Sequence, residues 1–84
     1  MDDVLKHLLP AVEQQLTSPD TPYVAEAHRR LCTEHEDIDP EEAKAMIAFC
    51  LADELEAMEL EGRSFDPQRY QLLLSFLPTM PEAH

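Results

Sequence analysis

Three of the seven prolines in this 84-residue chain mark helix starts, each preceded by a residue able to cap the helix: Thr21-Pro22, Asp39-Pro40 and Asp66-Pro67. Proline costs nothing at the first helical position, because its missing N–H would have been unpaired there. The Thr or Asp before it offers an acceptor to the next free N–H groups. Helix starts are therefore fixed at three points. The single glycine, Gly62, falls between the last two helices, where a left-handed residue is wanted to end one of them. No segment alternates with period two for long and almost no glycine is present for hairpins, so strands are not expected.

Asp39 is followed three residues later by Glu42, an acidic version of a capping box. Phe65, before Asp66, is placed to pack on Tyr70 as a hydrophobic staple. In the first helix Val4, Leu5, Leu8, Val12 and Leu16 keep one stripe across Pro10. That proline projects opposite the stripe and is expected to bend one helix around the core, with two short helices as the alternative. Four helices follow, over about 3–17, 22–36, 40–61 and 67–77. The expectation is an all-α, compact four-helix arrangement with antiparallel neighbours, one domain over residues 1–84.

Cys32 and Cys50 are neither a CxxC pair nor metal-spaced, and on adjacent helices their Cα atoms fall too far apart for a disulfide, so two free thiols are expected. Polar groups also intrude on apolar faces. His28 and His35 share the arc of Val24, Ala27, Leu31 and Cys32 on the second helix. Their spacing separates the rings by about 10 Å, an awkward reach for one metal. Glu54 lies within the stripe of Ala43, Ile47, Cys50, Leu51, Leu55 and Met58 on the third. A carboxylate there needs a polar partner, such as the Tyr23 hydroxyl or Gln15. No HExxH, GxSxG, P-loop or di-iron ExxH pattern occurs, and the acidic run from Asp37 to Glu42 lacks the glycine of a calcium loop. No cofactor, dedicated metal site or catalytic residue is assigned.

The chain carries 18 acidic against 6 basic side chains, a net charge of −12. Phosphate backbones are bound through Lys and Arg, so nucleic acid is not an expected partner. Anionic membrane surfaces are disfavoured likewise, and the longest apolar run, Ala45 to Ala52, is far short of the roughly 20 residues a bilayer span needs. The opening MDDVLK has acids where a secretory signal has bases, which gives a cytoplasmic expectation. Ten of the twelve net charges lie between Glu34 and Glu61. Acids around Asp39 suit the start of a helix, but Asp53, Glu56, Glu59 and Glu61 crowd its end, where the macrodipole disfavours them and Arg63 offsets only part. They form a candidate surface for a basic protein. Leu72 and Phe76 widen the apolar arc of the last helix beyond Tyr70, Leu73, Leu74 and Leu77; either the monomer covers that helix on two sides or a second subunit does.

Several short runs together resemble a family of small bacterial all-helical proteins catalogued as a domain of unknown function. They are VEQQL from Val12 to Leu16, the proline-led helix ending Arg30-Leu31, LADEL from Leu51 to Leu55, and GRSFDPQRY from Gly62 to Tyr70. The resemblance implies an all-helical bacterial fold and brings no activity with it. Its third helix is histidine-rich, whereas Glu41, Ala45 and Glu54 stand in the corresponding places here. Three functional expectations result: a non-catalytic module binding a basic protein, a self-associating structural protein forming a homodimer through Leu72 and Phe76, and a weak metal binder using His28, His35 and Glu54.

Overall fold

The computed structural model describes the backbone of residues 2–79 and the side chains from Lys6 onward. It is all-α: α1 (Asp2–Thr17), α2 (Pro22–Glu34), α3 (Pro40–Glu61) and α4 (Pro67–Phe76), with no strand among the described residues. Its radius of gyration, 12.2 Å, is close to the roughly 12 Å of a folded unit of this length.

The proline-led starts appear as the sequence expects, with one difference in mechanism. Asp39 accepts from the Glu42 N–H at 2.8 Å, and Asp66 accepts from the Gln68 and Arg69 N–H groups at 3.0 and 3.3 Å. Pro22, Pro40 and Pro67 each occupy the first turn. Thr21 makes no side-chain cap; its hydroxyl instead donates to the Gln15 carbonyl at 2.9 Å, tying the start of α2 back to the end of α1. Helix α1 continues through Pro10, which is exposed, so one helix forms. The side chains of Val4 and Leu5 lie outside the described residues. Helix α2 ends two residues short of the expected point, leaving His35 extended beyond its last turn.

The core is built on α3. Ala43, Ile47, Ala48, Cys50 and Leu51 pack with Val12 of α1, Val24, Ala27 and Leu31 of α2, and Tyr70, Leu74 and Leu77 around α4. Helix α3 packs closely on all three other helices, as does α2, whereas the backbones of α1 and α4 stay apart and these two meet through side chains. The small side chains of Ala43 and Ala48, both fully buried, let a central helix be approached from several sides at once. Leu55 departs from its expected place and is 39% exposed, so the buried stripe turns toward Glu54 and Ala57 instead.

Tyr70 closes the layer between α1 and α4. Its ring stands edge-on to Tyr23 and Phe65, with centroids 6.0 and 5.6 Å away, which establishes the Phe65 staple. Its hydroxyl donates to Gln15 Oε1 at 2.7 Å. At the far end of α4, Arg30 of α2 donates to the Leu74 and Leu77 carbonyls, each at 3.0 Å. Tyr23 beside Tyr70 and Arg30 beside Leu77 mean that α2 and α4 run in the same direction. His28 of α2 reaches the Pro40 carbonyl at 3.1 Å, so the end of α4 lies toward the start of α3 and these two helices are antiparallel.

Candidate functional site

Gly62 ends α3 in the left-handed region, at φ 63°, and the Arg63 N–H returns to the Met58 carbonyl at 3.1 Å. This 6→1 bond reverses the chain and satisfies an end-of-helix carbonyl. The reversal aims the Arg63 side chain back along α3 onto Glu54, nine residues earlier. Arg63 grips both carboxylate oxygens, Nη1 to Oε2 at 2.8 Å and Nη2 to Oε1 at 3.1 Å, while its Nε donates to Glu61 at 2.6 Å. The Asp66 N–H, at the start of α4, adds a bond to Oε2 at 2.7 Å. One turn later Arg69 donates to Glu54 Oε1 at 2.9 Å and to Asp53 at 2.8 Å.

Glu54 is 0% exposed, and each of its oxygens accepts two hydrogen bonds. That fills the four lone-pair sites a carboxylate offers. The Arg63 hydrogen bonds hold its carboxyl down to about 2; they outweigh the upward push of burial, and the Asp66 N–H and Arg69 reinforce them. Both guanidiniums are in turn held more firmly protonated, chiefly by Glu54. A carboxylate this saturated has no lone pair left for a substrate proton or a metal. It joins the end of α3, the Gly62 turn and the start of α4. Neither the Tyr23 hydroxyl nor Gln15 is its partner; Gln15 serves Tyr70 instead.

The three polar groups singled out on apolar faces do not converge. His28, bonded to the carbonyl of Pro40, sits at the first turn of α3, and Glu54 follows Pro40 by about 21 Å along the helix axis. His35 is half-buried just past α2, where its carbonyl accepts from the Ile38 N–H. Among the described residues no three His, Cys, Asp or Glu side chains are grouped to hold a metal.

The acids at the end of α3 divide into two sets. Asp53 is paired with Arg69 and Glu61 with Arg63. Glu56 and Glu59 are exposed and make no ion pair among the described residues. Beside them Leu60 is 78% exposed, the most exposed large apolar side chain among the described residues. Its position eleven residues after Phe49, near three full turns, is a spacing from which the sequence could have placed it on the outer face. Leu72 and Phe76 are 56% and 57% exposed, so the monomer does not cover α4 on its outer side.

A groove of about 180 Å³ lies between α2 and α4, floored by Ala27 and Leu74 and rimmed by Glu26, Arg30 and Gln71. The Arg30 guanidinium is already spent on the end of α4. Cys32 and Cys50 are both free, and burial pushes the Cys50 thiol up to about 12, with Asp53 adding to the effect. No described helix is long and apolar enough to cross a membrane. Comparison with protein-family models, curated proteins and solved structures gives no match to this chain.

Proposed function

We propose that this chain is a non-catalytic interaction module that binds a basic protein surface through the exposed side of α3. The observation that carries this reading is the division of the acids. Within the chain, Arg63 and Arg69 pair with Asp53, Glu54 and Glu61, and nothing described does so with Glu56 and Glu59. Glu59 stands in the last turn of α3, where negative charge is unfavourable, and both acids lie beside the exposed Leu60. A basic partner would supply the missing positive charge and cover that leucine. Residues 34–61 hold ten of the twelve net charges, and although three of their acids pair with Arg63 and Arg69, the field that remains speeds encounter with a cationic surface at low salt.

The test is capture of identified basic proteins at low and high salt, using the wild type and a Glu56→Lys, Glu59→Lys variant as bait. A partner recovered by the wild type at low salt and lost both in high salt and with the variant supports the reading. Equal recovery by both baits, or no basic protein at low salt, overturns it.

A second reading, self-association, draws on the exposure of Leu72 and Phe76. Two side chains cover far less than the roughly 800 Å² per partner that a stable interface buries. Solution mass that falls on Leu72→Glu substitution would favour it; a monomer at high concentration would remove it.

A further inference from the structure

We propose that the outer side of the α3–α4 seam docks a basic amphipathic helix of a partner protein. This rests on reading the chain as a basic-partner module and goes further by giving the partner's form and its anchor points. The Asp53–Arg69 pair, at 2.8 Å, marks the register of the two antiparallel helices. Phe49 lies one turn before Asp53, about 6 Å along the axis and about 40° around it. Phe76 lies two turns after Arg69, about 10 Å along and about 20° around. Because the helices are antiparallel, both displacements run the same way. Phe49, Phe76 and Leu72 therefore border one stretch of the seam, exposed by 38%, 57% and 56%.

Charge defines what fits there. Along the outer side of α3 the row Glu42, Ala45, Phe49, Ala52, Glu56 recurs at alternate spacings of three and four, the spacing by which one helix receives another. Its middle is apolar and both ends are acidic. A helix lying on this row would set apolar side chains against Phe49 and Phe76 and basic ones against Glu42 and Glu56. A second copy of this chain is the poorer occupant, since it would bring its own acids against these. A nucleic acid or an anionic membrane would meet the same repulsion.

The experiment titrates the full chain with two synthetic 18-residue Lys/Leu peptides of identical composition. One has leucine at heptad spacing; the other is scrambled so that no helical stripe forms. The patterned peptide is expected to bind at least about tenfold more tightly than the scrambled one. In a Phe49→Ser, Phe76→Ser variant that preference should disappear, and Leu72→Ser alone should reduce it, with circular dichroism confirming that both variants keep their helices. Equal binding of the two peptides, or a preference untouched by either variant, overturns the seam while leaving the basic-partner reading in place. Binding of neither peptide at low salt overturns both. A wild-type dimer that the patterned peptide fails to disperse assigns the seam to a second copy and overturns the proposal.

Discussion

The guanidinium of Arg63 lies 2.8 and 3.1 Å from the two oxygens of Glu54, a bidentate pair joining residues nine apart across the Gly62 turn. A buried carboxylate is costly on its own, and here the turn that ends α3 delivers its counter-ion. Arg69 and the Asp66 N–H complete the set, so the junction of α3 with α4 depends on one acid.

Replacing Glu54 by Gln removes the charge and sets amide hydrogens against two guanidiniums. Both arginines are partly exposed and regain some hydration, so the loss is expected at about 2–4 kcal/mol. Thermal unfolding followed by circular dichroism should show a Tm lower by on the order of 10–20 °C. An unchanged Tm would show that the network contributes no net stability.

The same acid gives a pH dependence of known sign. Its carboxyl is held at about 2 in the fold against 4.5 ordinarily, so its stabilisation is complete above the unfolded value and is lost as pH falls toward 2. The stability difference between wild type and Glu54→Gln should therefore hold steady above about pH 5 and shrink steadily below it. Taking the difference cancels the relief of repulsion among the other acids. A gap that widened on acidification would contradict the assignment.

Gly62→Ala isolates the backbone contribution. At φ 63° an L side chain is strained, yet nothing lies within 4 Å of an added Cβ, so the cost is conformational alone. Urea unfolding should show a loss of about 1 kcal/mol. Gly62→Asn should lose less, because asparagine tolerates this region better than alanine. Equal loss for both would point to a cause other than φ.

Arg30→Lys should fray the end of α4. A guanidinium reaches the Leu74 and Leu77 carbonyls together, and an ammonium cannot reproduce that fork. Amide exchange should quicken at Leu77 and in the last turn of α4 while the middle of α3 stays protected. Uniform quickening through the chain would mean that the arginine supports the whole fold instead.

The cysteines should react unequally. Cys50 is fully buried with its thiol pushed up to about 12, whereas Cys32 is half-buried. Alkylation at pH 8 should label one thiol per folded chain and two in urea, with mass mapping to Cys32 first. Rapid labelling of Cys50 in the folded chain would contradict its placement.

The sequence by itself determined where α2, α3 and α4 begin and where α3 ends. Pro22, Pro40, Pro67 and Gly62 act through local backbone geometry, which needs no distant partner, and the helical spacing of Val24, Ala27, Leu31, Ile47 and Leu51 marked inward faces for the same reason. It also marked Glu54 as a polar group on an apolar face. Tertiary structure decided what answered it. Arg63 and Arg69 follow Glu54 by nine and fifteen residues, and only the reversal at Gly62 and the packing of α4 bring them to one carboxylate. The same packing paired Asp53 with Arg69 and Glu61 with Arg63, left Glu56 and Glu59 without an ion pair among the described residues, kept His28 near the opposite end of α3 from Glu54, and spent Arg30 on the end of α4. Local rules set each side chain's direction along its own helix. Which side chains meet is fixed by helix register, and register comes from the whole core.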